Sequence, residues 1–232
     1  MARPAHRIIG LCAAALIVTA GCTSTEEPAS GSSTMSQHGA STSAAAAGKA
    51  AVNTPAAELR AGLTHLLTEH VYTAGIALQT AVGAGGNLED PAVKAAVANL
   101  DANTVALSKA VGSAYPAAEQ PFLDSWRQHI GFFVDYTLGK ATGDQAKMDK
   151  ARTDLDGYRT SFGQLINSVV PELPADAVAQ ELVPHVQSLL AAIDSLVAGD
   201  GQVFAKLTEA ASHMPMTAQT LAGGIADNKK LS

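Results

Sequence analysis

The sequence predicts an all-α protein, a six-helix up-and-down bundle built from three αα-hairpin repeats. From about residue 55 to the C-terminus, apolar residues recur at steps of three and four, the period of an amphipathic helix, without a convincing β-alternation. Pro, Gly and Asp residues divide this region into segments of helix length. A histidine-containing tripeptide also recurs at nearly constant spacing, which indicates an internal repeat.

Ahead of the helices, the N-terminus has the pattern of an export signal. A basic start is followed by an apolar run over residues 8–18, which is too short to span a bilayer. The residues before Cys22 resemble the lipobox of bacterial lipoprotein precursors, although a Leu is usual where Thr19 stands. We therefore expect a signal peptide over residues 1–21 and Cys22 as the first mature residue, acylated with palmitate or a similar chain. A plain secretory signal with an incidental cysteine is the alternative.

Residues 22–53 are predicted to form a disordered tether, and residues 54–232 the helical domain. The tether has too few bulky apolar side chains to offset the entropy of ordering. The protein is expected at the cell membrane, on its extracytoplasmic face, held by the N-terminal lipid, because the remaining chain has no apolar run of membrane-spanning length. The formal net charge is −6, and removal of residues 1–21 with their two arginines makes it −8. This acidic balance argues against nucleic acid as a partner.

The predicted helices have recognisable start and stop signals. Asp90 is an N-cap in front of a proline at the first helical position. Gly143 and Gly199 lie in short turns between helices, and Pro171 with Pro174 separates the fourth helix from the fifth. The six helices are expected at about 55–82, 91–113, 119–140, 144–169, 175–198 and 201–226.

The repeat is centred on histidine. His70, His129 and His185 lie 59 and 56 residues apart, each early in the first helix of a hairpin. Gly143 follows His129 by 14 residues, and Gly199 follows His185 by the same number. Three copies of one hairpin account for both regularities.

All three histidines belong to apolar stripes and are expected to point inward. Because His213 lies as far after Gly199 as His185 lies before it, these two side chains should occupy the same level of the last hairpin. The same counting places Asp156 or Gly157 opposite His129, and Asp101 roughly opposite His70. Burying such a polar layer costs several kcal/mol unless its members bond to each other or to an ion.

The sequence around His213 indicates soft metal chemistry. Glu209, His213 and Met216 share one edge of the apolar face of the sixth helix, whereas Met214 points more directly into the core. Imidazole and thioether groups suit Cu(I) and tolerate Cu(II). We therefore expect a copper site with the ligands His70, His129, His185, His213, Met214 and Met216, and with imidazoles oriented by Asp101, Asp156 and Glu209. The alternative is that Met214 fills the core and that Met216 is incidental.

Other chemistry has weaker signals in the sequence. Zinc, or haem bound non-covalently between two histidines, is a possible alternative to copper. The chain has no Cys-x-x-Cys-His, no His-Glu-x-x-His, no Gly-x-Ser-x-Gly and no phosphate loop. The sequence therefore favours a protein that is not an enzyme.

Several segments resemble a family of secreted or lipoprotein all-helical domains of Gram-positive bacteria. The resemblance lies in residues 66–72, 100–103, 126–136, 213–217 and 221–223, and it extends over about 57–226. Some members occur in proteins labelled as similar to the N-terminal domain of copper amine oxidases. The resemblance implies an extracytoplasmic helical domain and no particular activity.

These observations lead to one hypothesis with two alternatives. The first is a non-enzymatic envelope lipoprotein that binds copper for sequestration or delivery. The second is a structural or partner-binding lipoprotein in which the histidines form a hydrogen-bonded polar core, and the third is an enzyme that uses bound metal or haem. Because the neutral imidazole is the form that binds metal, the affinity is expected to fall as the pH drops through about 6.5.

Overall fold

The computed structural model describes residues 52–231, and all regular secondary structure in this range is helical. The all-α prediction is thereby confirmed, whereas the signal peptide, Cys22 and nearly all of the tether lie outside the described residues. A single 3₁₀ turn, Pro116–Ala118, precedes the third helix. The helices are α1 (Pro55–Gly83), α2 (Pro91–Ala114), α3 (Glu119–Thr142), α4 (Gln145–Val169), α5 (Ala175–Glu181), α6 (Val183–Ala198), α7 (Val203–Ser212) and α8 (Met214–Lys229).

The fifth and sixth predicted helices are each interrupted once. The first break is at Leu182, between α5 and α6, and the second is at His213, between α7 and α8. Pro184 and Pro215 lie just after these breaks, and neither has the N–H that would bond the carbonyl group four residues earlier. The sequence analysis used other prolines as helix boundaries and overlooked these two.

Side-chain caps and left-handed glycines fix the helix ends. Thr54 Oγ1 accepts from Ala57 N at 3.2 Å at the start of α1, and Asp144 Oδ1 accepts from Lys147 N at 3.0 Å at the start of α4. Gly143 and Gly199 end α3 and α6 with φ of 72° and 69°, a conformation that glycine adopts without strain. None of the helices within residues 52–231 is long and apolar enough to cross a membrane.

Consecutive helices pack side by side, and three of them meet inside the domain. The neighbours along the chain include α1 with α2, α3 with α4, and α6 with α7, while α1 also packs against α8. In addition, α1, α3 and α6 contact one another in pairs. These three helices carry His70, His129 and His185, so the packing brings the histidines towards one point.

Aromatic side chains of α3 and α4 form the centre of the core. Phe122 stacks on Trp126 with ring centroids 5.0 Å apart, and Phe162 meets both rings edge-on at 5.7 Å. Tyr158 continues this group at 5.6 Å from Phe162. All of these residues are buried. They form a rigid wall beside the histidine of α3.

The contact between α4 and α5 depends on Gly163. A Cβ atom at this position would overlap the carbonyl group of Ala175, whereas a Cβ at Gly157 of the same helix has open space around it. We expect Gly163→Ala to lower the free energy of unfolding by about 2 kcal/mol or more, because backbone atoms must move. Gly157→Ala should raise it by about 0.5–1 kcal/mol through helix propensity. Urea unfolding of both variants measures the difference, and equal effects would contradict the close approach.

Candidate metal centre

Three buried histidines line one small cavity at the meeting point of α1, α3 and α6. The exposed fractions of His70, His129 and His185 are 2%, 3% and 6%. The cavity has a volume of about 20 Å³, counted as the space open to the centre of a water molecule. Met214, which is 2% exposed, also lines it. The expectation that these histidines point inward is therefore confirmed, and all three border the same cavity. A space of this size holds about one water molecule or one ion.

His70 is held by a hydrogen bond to an aromatic neighbour. Trp126 Nε1 donates to His70 Nδ1 at 3.3 Å, so this nitrogen of the neutral ring carries no proton. The ring centroids of His70 and His129 are 5.4 Å apart. Because its Nδ1 already accepts a hydrogen bond, His70 has only Nε2 available for another partner.

His129 and His185 differ from His70 in that each has a buried nitrogen without a partner. His129 stacks on Tyr158 with centroids 4.7 Å apart and an interplanar angle of 19°, and it meets the edge of Trp126 at 4.8 Å. In the described part of the chain, neither His129 Nδ1 nor His185 Nδ1 has a hydrogen-bond partner. A buried polar atom left unpaired costs about 1–3 kcal/mol, so these nitrogens require water or an ion.

Burial keeps all three imidazoles neutral. It is the main cause that lowers the pKa of His70 to about 3, with the charge of His185 acting in the same direction and the side chain of Asn103 opposing it. Burial also lowers the pKa of His129 well below its usual value, and electrostatic repulsion from His70 and His185 adds to this effect, while the backbone of Trp126 opposes it. The pKa of His185 falls to about 4, again chiefly through burial, while the backbone of Ala210 opposes the shift. Neutral imidazole is the form that binds metal.

The two remaining ligands predicted around the second helix break lie further out. His213 is half-buried and is not among the residues that line the cavity, although its charge contributes to lowering the pKa of His185. Met216 is 57% exposed. The break at His213 accounts for this arrangement, because Met214 begins α8 with its side chain in the core while Met216, two residues on, faces outward.

The three acidic residues expected to orient the imidazoles lie at the surface, and this expectation is corrected. Asp101 accepts from Arg127 Nε and Nη2 at 2.8 and 2.9 Å, and Asp156 accepts from Arg159 Nη2 at 2.7 Å. Glu209 is exposed on α7. The inward-facing positions lie two residues further along the chain than each of these aspartates.

The residues found at those inward positions are Asn103 and Tyr158, which the sequence analysis missed. Asn103 Nδ2 donates to the carbonyl group of Leu66 at 3.0 Å and to Glu69 Oε2 at 2.8 Å, and thereby joins α2 to α1. Tyr158 is the ring on which His129 stacks. A helical stripe indicates Tyr158, since steps of three and four join Leu155, Tyr158 and Phe162.

The described residues contain no group of three or more His, Cys, Asp or Glu side chains arranged to hold a metal ion. The four-histidine centre expected from the sequence is therefore not preformed within residues 52–231. His70 is tied to Trp126, His129 is stacked on Tyr158, and His213 lies outside the cavity. The potential donors that remain at the cavity are two imidazole nitrogens and the sulfur of Met214.

Comparison with known proteins identifies no family for this chain. No family model, curated protein or solved structure matches the chain. The resemblance to helical lipoprotein domains accordingly remains an expectation from the sequence segments given above.

Proposed function

We propose that this domain binds one Cu(I) ion in the histidine cavity, through His129 Nδ1, His185 Nδ1 and the sulfur of Met214. The observation that carries the proposal is the pair of buried, unpartnered Nδ1 atoms on a cavity that Met214 also lines. A bound ion would supply the partner that both nitrogens lack. Thioether and imidazole together are a ligand set that favours the soft Cu(I) ion.

The charge of the cavity favours a monovalent ion over a divalent one. No carboxylate lies among the residues that line it, so nothing anionic would balance a buried Zn²⁺ or Cu²⁺. A single positive charge costs less to bury, and the three neutral ligands add no charge of their own. Haem does not fit a space of about 20 Å³.

A storage or delivery role follows from this site together with the expected export signal. The cavity has room for one ion and no room for a substrate beside it, which supports binding rather than catalysis. Anchored through Cys22, the domain would hold copper outside the cytoplasm. His213 and Met216 lie near the break between α7 and α8, where they would offer an incoming ion its first ligands.

We also propose that the domain is three copies of one αα-hairpin arranged as an up-and-down bundle. The second and third copies have the same turn chemistry, since Gly143 and Gly199 share a left-handed conformation 14 residues after their histidines. The first and third copies share another feature. Thr73 and Ser188, each three residues after the histidine, donate to its carbonyl oxygen at 3.1 Å.

A structural role for the histidines is the second candidate, and specific contacts favour it. The bond from Trp126 to His70 and the stacking of His129 on Tyr158 would by themselves fix the relative positions of α1, α3 and α4. On this reading the unpartnered nitrogens would be satisfied by a single water molecule in the cavity.

A Cu(I) titration of the full-length protein against a chromogenic chelator under reducing conditions separates the two candidates. We expect one Cu(I) per chain, and we expect the double variant His129→Phe/His185→Phe to bind at least about a hundredfold more weakly. Even the loss of a residue that only hydrogen-bonds to a metal ligand lowers the metal affinity about 10–100-fold. Phenylalanine retains the aromatic packing, so this variant should fold.

Two further variants serve as matched controls for the titration. His65→Gln removes an exposed histidine of α1, and Met216→Leu removes the exposed methionine of α8. Both should leave the equilibrium affinity within about threefold of the wild type, whereas Met214→Leu should weaken binding. A wild-type protein that takes up no Cu(I), or a double variant that binds as tightly as the wild type, would leave the structural role as the better account.

A further inference from the structure

A second cavity lies between α1, α2 and α3, apart from His129 and His185. It has room of about 100 Å³ for the centre of a water-sized sphere, compared with about 20 Å³ in the histidine cavity. His70 and Phe133 border both cavities. The copper proposal makes no use of this larger space.

The lining of the second cavity is apolar and carries no charged side chain. The small residues Ala74, Ala77 and Ala81 of α1 leave the space open, and most of the remaining lining is aliphatic. Of its two polar residues, Thr137 is satisfied within its own helix, because Oγ1 donates to the carbonyl group of Phe133 at 2.8 Å. The other is His70, a neutral ring. A water molecule would therefore find few hydrogen-bond partners inside the cavity, whereas an apolar guest needs none.

The shape of the cavity indicates a chain rather than a compact molecule. Its residues extend along α1 from His70 to Ala81, which corresponds to roughly 16 Å of helix. Leu100 and Leu189, which also line it, are buried, with exposed fractions of 5% and 2%. Two other lining residues, Leu88 and Val97, are 47% and 48% exposed, so the space meets solvent beside them. A small volume spread over this length is narrow.

We infer that this second cavity binds the end of an uncharged alkyl chain, with the polar head of the ligand left in solvent beside Leu88 and Val97. An apolar cavity of about 150 Å³ in another protein stays dry and takes up benzene or xenon, which shows that apolar spaces of this order of size prefer apolar guests to water. The exposed apolar side chains of Leu88 and Val97 give the chain an apolar contact where it leaves the cavity.

Calorimetric titration of the full-length protein with 1-octanol tests this inference. We expect saturable one-to-one binding, and at least a tenfold loss of affinity in Ala77→Leu, which fills the middle of the cavity. Ala81→Leu is a second variant that obstructs the half-buried outer part and should have the same effect. Ala98→Leu makes the same exchange at an exposed position of α2 outside the lining, so its affinity should equal that of the wild type.

Three outcomes of the titration bear on the inference. A wild-type protein that does not bind octanol, or cavity-filled variants that bind it as well as Ala98→Leu does, would overturn the inference. Binding of benzene without binding of octanol would overturn the assignment to an alkyl chain. The octanol test is independent of the copper proposal. His129→Phe/His185→Phe changes no residue of the second cavity, so this variant should bind octanol like the wild type.

The alkyl chain could come from a separate lipid or from the acyl group expected on Cys22. Octanol binding by both the membrane-purified protein and its Cys22→Ala variant would assign the cavity to a separate lipid. Octanol binding by Cys22→Ala alone would assign it to the protein's own acyl group. Absence of binding in both variants would overturn the inference for either source.

Discussion

Between about pH 6.5 and pH 4.5, the free energy of unfolding is expected to fall by several kcal/mol. The unfolded histidines take up protons near pH 6.5, whereas in the folded domain the pKa of His70 is about 3 and that of His185 about 4, with His129 also lowered. Stability is therefore fully present above about pH 6.5 and is lost as the pH falls towards the folded values. Each group contributes up to about 1.4 kcal/mol per pH unit in this window.

Urea unfolding at a series of pH values measures this effect, with the fluorescence of Trp126 as the probe. Trp126 is the one tryptophan of the chain and contacts both His70 and His129. Asp101 is not expected to contribute, because its hydrogen bonds with Arg127 lower the pKa of a carboxyl group that already titrates below this window.

Variants identify the histidines as the cause of the pH dependence. His129→Phe should reduce the proton uptake on unfolding by about one, and His129→Phe/His185→Phe by about two. His65→Gln, at the surface, should leave the slope as it is in the wild type. A wild-type stability that stays flat to about pH 4.5 would mean that the folded domain admits protons to these rings, contrary to their burial.

The helical fold could be predicted closely because its signals are local. Asp90, Gly143 and Gly199 act through their own backbone or the next few residues, and the observed helix ends agree with the prediction to within three residues. The breaks at Leu182 and His213 were missed although Pro184 and Pro215 were visible. Strong apolar periodicity on both sides of each proline favoured a continuous helix, and the tertiary contacts tolerate the interruption.

The candidate site could be predicted only in part, because its chemistry depends on contacts between helices. Helical periodicity correctly placed His70, His129 and His185 in the interior. It could not reveal that Trp126 bonds to the first ring or that Tyr158 stacks on the second. Those contacts depend on how far each helix is rotated about its axis. Counting residues from the turns was two positions in error at Asp101, and one or two positions in error where it gave Asp156 or Gly157 in place of Tyr158.

The pH dependence of copper binding is expected to differ from that of stability. The sequence led us to expect that affinity falls through about pH 6.5, as it would for imidazoles in solution. In the folded domain, however, the lowered pKa values of His129 and His185 mean that no proton has to leave these rings at pH 5. The affinity of the folded protein for Cu(I) should therefore be nearly the same at about pH 7 and pH 5.

The increase in unfolding free energy caused by copper tests this expectation. With free Cu(I) buffered at about 100 times its dissociation constant, the increase should be about 2.7 kcal/mol at both pH values, although the metal-free protein is much less stable at the lower one. The double variant His129→Phe/His185→Phe, at least about a hundredfold weaker in binding, should show an increase of about 0.4 kcal/mol or less at either pH. An increase at pH 7 that disappears at pH 5 would instead indicate binding through imidazoles that solvent can protonate. His213, half-buried at the break between α7 and α8, would then be the first residue to substitute in a test of that binding.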